Sequence, residues 1–366
     1  MQEFEEQNRP KWILPTPKRT DEPTPKGLKN LLLHLMQGQN LRREEAKHLL
    51  DELLSEDASD VQISAALVAL AIKGETIEEL AGMAEAMREH SVKINSIHRE
   101  FIDTAGTGSS RVKTFNVSTA AAFVIAGAGL PVAKHGSRAA TSLSGSADVL
   151  SALGVNVSAS RETSEKNLNE IGICFMFAPL YHASTARVAA VRRQLGVHTT
   201  FNLLGPMTNP ANAPFQIMGV WHKALVSQAA QTLAALKTKR AWVVHGLDGL
   251  DEITISDKTF VAEVSDDNIK YFEISPGDLG FEKVPVSGLE SLRGGNAEQN
   301  SKIIREVLNG KRKDEARSLV LINAAAALFV GGKAENLYDA AELANKSLES
   351  GKALEKLENL IEATRD

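Results

Sequence analysis

Three short stretches of this 366-residue chain gather side chains that could do chemistry together. In Gly106-Thr107-Gly108-Ser109-Ser110, glycines sit among hydroxyl donors, and Thr114, Asn116, Val117, Ser118 and Thr119 follow just ahead of a small-residue helical pattern. A glycine-rich turn that runs into a helix aims backbone N–H groups at an anion. The second stretch is Lys134-His135-Gly136-Ser137-Arg138-Ala139-Ala140-Thr141-Ser142, after which Ser144, Gly145 and Ser146 open another helical run. A lysine at an inward bend needs an anion to meet it. Together the two turns predict a site for a doubly phosphorylated substrate. Plainer alternatives stand beside each part: Ser118-Thr119 as a helix cap, Lys134 in a solvated loop, and His135 as a satisfied structural histidine.

The third stretch, Asp248-Gly249-Leu250-Asp251-Glu252, follows the apolar run Trp242 to His245. Adjacent carboxylates beyond the carboxyl end of a parallel strand suit Mg²⁺, a hard ion that takes oxygen ligands and shares them with substrate phosphates. Alone, such a pair is more often a solvated surface, and the upstream turns tip the reading toward metal. Arg192 and Arg193 read from the residues alone as exposed helix charges. The single cysteine, Cys174, lies in the apolar run Ile173 to Phe177 and reads as a buried structural residue rather than a nucleophile or ligand. The spacing of histidines offers no zinc site, and neither a nucleophile elbow nor a Walker lysine motif occurs.

The elements that must carry these residues follow from periodicity. Residues 1–26 are rich in proline and charge without a sustained period, which predicts an extended or disordered leader. From Leu28 to Val92 apolar residues recur at helical spacing, with Ile63, Leu67 and Leu70 on one face and a capping box at Thr76 to Glu79. From Phe101 onward short apolar runs alternate with helical patterns, at Val132-Ala133, Val155 to Val157, Cys174 to Phe177, Gln216 to Val220 and Trp242 to Val244. The fold class is therefore α/β: a small, mostly helical domain and a larger domain with a mainly parallel, helix-covered sheet. Short β-rich runs at Thr259 to Val264 and Tyr271 to Ile274 precede C-terminal helices around Ala297 to Leu308, Ala316 to Leu328 and Leu337 to Leu360. A hydrophobic content of 43% supports a substantial core, while the net charge of -5 argues against a nucleic-acid partner. With no apolar run long enough for a membrane span and no signal-peptide core, the expected location is the cytoplasm.

Taken in order, Asp103, Gly106-Thr107-Gly108, Thr114 to Thr119, Lys134-His135-Gly136, Ser144 to Asp148, Phe201 to Pro206 with Thr208-Asn209-Pro210, and Asp248 to Glu252 resemble the anthranilate phosphoribosyltransferase family from about Leu28 to the C-terminus. The resemblance implies transfer of phosphoribose from 5-phosphoribosyl 1-diphosphate (PRPP) to anthranilate, with release of diphosphate, in tryptophan biosynthesis. It also implies a homodimer formed through the helical domain. That domain would span residues 27–98, completed by a helical segment near 180–198, and the α/β domain would span 99–366. Carried over by position, Gly106, Ser109, Ser110, Thr114, Asn116 to Thr119, Lys134 to Ser142 and Ser146 would line the PRPP site. Ser118 and Glu252 would hold one Mg²⁺, and Asp251 and Glu252 a second. Gly106, Ser137 and Arg192 would face anthranilate, with Arg192 on its carboxylate, and Gly205-Pro206 would border the acceptor channel.

The chain departs from the family pattern at Ser109-Ser110, where Gly-Asp is usual, at Ser137, where asparagine is usual, at Ala183, where proline is usual, and at His198, where arginine is common. The alternative is a paralogous phosphoribosyltransferase with another aromatic acceptor. A pyrimidine-nucleoside phosphorylase would share the fold without needing the Asp251-Glu252 pair. A non-catalytic nucleic-acid-binding relative would run against the acidic balance.

Overall fold

The computed structural model describes residues 27–365 apart from Ser109, Arg111, residues 140–142 and Asp267. The leader expected over residues 1–26 lies outside the described residues, as do the proposed ligand contacts of Ser109, Ala140, Thr141 and Ser142.

Four helices open the chain: α1 (Leu28–Met36), α2 (Arg43–Leu54), α3 (Asp60–Lys73) and α4 (Ile77–Glu89). Ser59 and Thr76 begin α3 and α4 with capping boxes, the side-chain oxygens accepting from Gln62 N and Glu79 N. Glu79 is itself buried, where it pairs with Lys73 and accepts from Leu41 N at 2.8 Å, so one cap also ties three segments of the bundle together.

The α/β part alternates as its apolar runs predict: β1 (Ile102–Asp103), α5 (Val117–Gly127), β2 (Val132–Gly136), α6 (Ser146–Leu153), α7 (Arg161–Glu170), β3 (Ile173–Phe177), α8 (Ala178–Tyr181), α9 (Ala186–Leu195), α10 (Phe201–Met207), β4 (Phe215–Gly219), α11 (Ala224–Ala235) and β5 (Arg240–Gly246). Strands β6 (Thr259–Ser265) and β7 (Asn268–Ile274) follow, then helices α12 (Ala297–Leu308), α13 (Glu315–Val330), α14 (Leu337–Glu349) and α15 (Lys352–Ala363). The sheet has seven strands in the order β3-β2-β1-β4-β5-β6-β7. Strands β1 to β5 pair in parallel, and β6 and β7 add antiparallel.

Side chains alternate across this sheet and divide the interior. Ile217, Trp242, Val244 and Val261 face one core with α5 and α12 to α15, whereas Met218, Val220, Ala241, Val243, Ala262 and Val264 face another. That second core is shared with the bundle helices and with Val188, Val191, Leu203 and Leu204 of α9 and α10, so segments near residues 180–207 pack with the N-terminal helices.

One expected strand is absent. Val155 to Val157 form the connection between α6 and α7, where both valines are buried in the larger core and Asn156 N donates to Thr364 Oγ1 at 3.1 Å. Three residues with apolar ends look alike whether they line a sheet or plug a loop against a core.

Because β4 and β1 lie at the centre with the chain departing to either side, the carboxyl ends of β1, β2, β4 and β5 open onto one crevice.

Candidate active site

At that crevice lies a cleft of about 620 Å³. It is lined from the α/β side by the two glycine-rich turns and Asp251-Glu252, and from the other side by Met87, His182, Arg192, Phe201 and Gly205. Every residue expected in the ligand or metal site that falls within the described residues is on its wall: Gly106, Ser110, Thr114, Asn116 to Thr119, Lys134 to Ala139, Ser146, Arg192, Asp251 and Glu252.

The first turn is fastened to the end of β4. Thr107 donates to Gly219 O from both its backbone N (2.9 Å) and its hydroxyl (3.1 Å). Gly219 in turn lies against Asp251 O, where a Cβ would overlap the carbonyl, so only glycine lets the Asp251-Glu252 turn close over the strand end. Asn116 occupies the N-cap of α5 without a side-chain cap bond. The hydroxyl of Ser118 is turned toward Lys134, not toward the helix, so the simple capping alternative for Ser118-Thr119 does not hold.

Lys134 is on β2 and is buried, which removes the solvated-loop alternative. Its ammonium donates to Thr104 Oγ1 at 3.0 Å and Ser118 Oγ at 3.4 Å, and no carboxylate pairs with it directly among the described residues. Burial pushes its pKa down, and the nearby negative charges of Asp103 and Glu252 work against that. The second turn is held by Asp148, whose Oδ2 accepts from Ala139 N and Gly145 N, both at 2.9 Å, while Oδ1 accepts from Arg138 at 2.8 Å. Against the burial that would raise it, those three donors hold the Asp148 carboxyl below the usual carboxylate range.

Asp251 and Glu252 show the opposite balance. Burial, then repulsion from Asp251, pushes Glu252 up to about 8, with Lys134 and the Ser118 backbone N–H opposing. Burial likewise raises Asp251, against the Ser110 hydroxyl and the charges of Lys113 and His245. The ionised form of Glu252 is thus disfavoured, and without a cation the carboxyl keeps its proton at neutral pH. Ser118 Oγ and the two carboxylates form an oxygen-only donor set, which fits a hard divalent cation whose remaining ligands are water and substrate phosphates.

The opposite wall carries a positive charge that meets no counter-ion among the described residues. Arg192 is wedged by neutral groups: Nε donates to Thr199 Oγ1 at 2.9 Å, Nη2 donates to Asn202 Oδ1 at 3.2 Å, and the guanidinium lies 5.3 Å from the Phe201 ring centroid. Burial alone pushes its pKa down. It is neither a surface charge nor a member of an ion pair among the described residues, and its geometry suits a carboxylate arriving from the cleft. Arg193, its neighbour, is exposed.

Reading the residues alone missed His182 and Asn323 on the cleft wall and Asp103 and Asn209 behind it. Asp103 is fully buried at the end of β1, its Oδ1 accepting from Ala105 N at 3.1 Å and His135 N at 3.2 Å and its Oδ2 from Asn209 Nδ2 at 2.7 Å. Asn209 also donates to Ala133 O at 2.8 Å, so the pair joins the first turn, β2 and the approach to β4. His182 places its ring 5.1 Å from that of His135 and makes a 3.1 Å bond from Nε2 to Thr208 O, which fixes the proton on that nitrogen. The His182 Nδ1 and His135 Nε2 atoms are buried and make no well-formed hydrogen bond among the described residues, only looser approaches to the Met87 and Gly205 carbonyls. Asn323 brackets residue 253, accepting from Ile253 N and donating to Ile253 O, both at 2.9 Å, directly after Glu252. Asp103 and the motif Thr208-Asn209-Pro210 entered the sequence reading only through the family resemblance, and these long-range contacts left no local signal.

The chain matches a glycosyl transferase family in two parts, the helical bundle domain over residues 29–91 and the α/β domain over residues 98–354. It is 45% identical over 337 residues to an anthranilate phosphoribosyltransferase of Methanobrevibacter smithii, covering 92% of this chain and 99% of that one. Among solved structures it is similar to the anthranilate phosphoribosyltransferase of Thermus thermophilus, with a TM-score of 0.86 at 37% identity, covering 92% of this chain and 99% of the other. The Saccharomyces cerevisiae anthranilate phosphoribosyltransferase in complex with PRPP and Mg matches with a TM-score of 0.82 at 29% identity over 92% and 96% of the two chains.

Proposed function

The chain belongs to the anthranilate phosphoribosyltransferase family, and from that premise we propose that it transfers the 5-phosphoribosyl group of PRPP to the amine of anthranilate in tryptophan biosynthesis. The single observation that carries this reading is the pairing, across one cleft, of an oxygen-only carboxylate site with a counter-ion-free Arg192. One end suits a metal-bound diphosphate and the other a carboxylate, and the two substrates present those groups.

In the transfer, the bond from the anomeric carbon to the diphosphate oxygen breaks and its electron pair leaves with diphosphate. The amine lone pair forms the new N–C bond, and the nitrogen then releases one proton to the medium. An arylamine is neutral at pH 7, so the step needs positioning and charge stabilisation rather than a strong base. Bound Mg²⁺ supplies neutralisation of the diphosphate charge. Ser118 and Glu252 hold one ion and Asp251 with Glu252 a second. Lys134, held by Thr104 and Ser118, directs its ammonium at the departing group. Gly106, Ser110, Thr114, Asn116 to Thr119, Lys134 to Ala139 and Ser146 surround PRPP. Gly106, Ser137 and Arg192 face the acceptor, and Arg192 favours anthranilate over aromatic amines that lack a carboxylate.

The enzyme acts in the cytoplasm as a homodimer formed through the helical domain. Supporting the dimer, α3 and the end of α1 expose the apolar side chains Val61, Ile72 and Met36 at 78%, 83% and 72% of their surfaces, and subunit contacts cover such side chains. No helix among the described residues is long and apolar enough to cross a membrane.

Anthranilate fluorescence should fall only when PRPP and Mg²⁺ are both present. Folded protein that leaves anthranilate unconsumed under those conditions overturns the assignment.

A further inference from the structure

The two phosphate-facing turns leave neighbouring strands, β1 and β2, and are joined at the strand ends by Asp103 with His135 N and by Lys134 with Thr104 and Ser118, whereas the spacing of their outer parts rests on the contact of Asn116 with Ser144. We propose that Asn300, outside every motif described above, is the positioning residue that sets that spacing, acting through Asn116; the inference rests on the phosphoribosyl-transfer reading for its functional consequence.

Asn300 lies in the first turn of α12 and is only 3% exposed. Its Oδ1 accepts from Gly295 N at 2.7 Å, which fixes the orientation of the carboxamide. The Nδ2 must then face Asn116, and it donates to Asn116 Oδ1 at 3.0 Å. That bond fixes Asn116 in turn, whose Nδ2 donates to Ser144 O at 3.2 Å. A backbone donor stands at one end of the relay and a backbone carbonyl at the other, so neither amide can flip without setting like against like. Asn116 is an N-cap residue that makes no side-chain cap bond, so its amide is committed to this relay and not to the usual use of asparagine at a helix start.

The segment that carries Asn300 is docked on the first turn at two further points. Phe115 N donates to Leu292 O at 3.1 Å. Gly294 lies so close to the turn that a Cβ there would stand 2.6 Å from Thr114 O and 2.9 Å from the Phe115 Cα. The exit of the first turn, at Asn116, and the entry to α6, at Ser144, are therefore both referred to one anchor on α12. A substrate bound at two phosphorylated ends requires both turns in register at once, and small misplacement there is costly.

Asn300→Asp keeps the size and the bond to Gly295 N but presents an acceptor to Asn116 Oδ1, which breaks the relay by repulsion; Asn300→Ala removes it. Calorimetry with PRPP and Mg²⁺ should show the PRPP Kd rising about tenfold in either variant, the scale of one to two lost hydrogen bonds. The KM for anthranilate should change less than about twofold, because Arg192 is untouched. A role exerted through Asn116 predicts that Asn116→Ala/Asn300→Ala binds PRPP no more weakly than Asn116→Ala alone, whereas a merely structural role predicts additive losses. Should Asn300→Asp not fold, the alanine cycle decides. An unchanged PRPP Kd in a folded variant, or additivity in the cycle, overturns the proposal. Wild-type protein that binds PRPP but consumes no anthranilate would refute the acceptor assignment while leaving the relay measurable by binding.

Discussion

The two ends of the cleft handle uncompensated charge in opposite ways. At the strand ends of the α/β part, Asp251 and Glu252 are adjacent, burial raises the pKa of both, and the charge of Asp251 raises that of Glu252 further. At the facing wall, Arg192 is cradled by two neutral acceptors and a ring, with its planar guanidinium already oriented. The first end reaches its working charge state when a cation arrives; the second is complete without one. Removing a group should therefore damage chemistry at the first end and affinity at the second.

The sharpest way to break this comparison is at Glu252. Glu252→Ala should lower kcat by about 10²-fold or more, the scale seen when a group stabilising transition-state charge is lost. Titration with Mg²⁺ should no longer restore the rate. A variant within twofold of the wild type at saturating substrates would mean that the carboxylate pair is a structural cluster.

Next in size is Arg192→Ala. Loss of charge-assisted hydrogen bonds to a carboxylate should raise the KM for anthranilate by roughly 10- to 100-fold, with kcat and the KM for PRPP within a few-fold of wild type. Steady-state kinetics with each substrate varied in turn gives the answer. An equal fall in kcat would place Arg192 in the transition state and erase the distinction between the two ends.

How much of each end was legible beforehand follows the same division. The metal and phosphate end is local: Gly106-Thr107-Gly108, Lys134-His135-Gly136 and Asp251-Glu252 are short motifs at strand ends, and the apolar runs of β4 and β5, buried on both faces, are written in consecutive residues. The Thr76 capping box was equally readable because both partners lie within one helical turn. Contacts that span the chain leave no such trace. Asn209 meets Asp103 across 106 residues, and Asn300 meets Asn116 across 184. Arg192 read as a surface charge because its support comes from outside its own helix, Thr199 in the following turn and Asn202 at the start of α10, and only the family resemblance pointed inward. Val155 to Val157 misled for the converse reason, since apolar alternation over so short a run does not distinguish a strand from a loop that plugs the core.

The smallest expected effect tests whether the acceptor wall is as self-sufficient as Arg192 suggests. Burial pushes His135 down to about 3, with the charges of His182 and Lys134 adding to it against a carbonyl contact from Gly205. Burial pushes His182 down to about 4, with Lys93 adding to it and the carbonyls of Thr208 and Met87 opposing. Both rings are thus neutral where an unfolded histidine, near ~6.5, would be taking up a proton. Between these values the unfolded chain binds more protons than the folded one, so the stability linked to the pair is fully present above about pH 6.5 and is lost as pH falls toward 4 and below. His182→Gln keeps a donor for Thr208 O but cannot ionise. Its melting temperature should fall less steeply than that of the wild type between pH 6.5 and 4, by a few degrees at the acid end, a shift on the scale of ~1–2 kcal/mol. The anthranilate KM of the wild type should show no inflection near ~6.5. An inflection there that His182→Gln abolishes would show that one ring is charged in the working range. The acceptor wall would then depend on protonation as the opposite wall depends on metal.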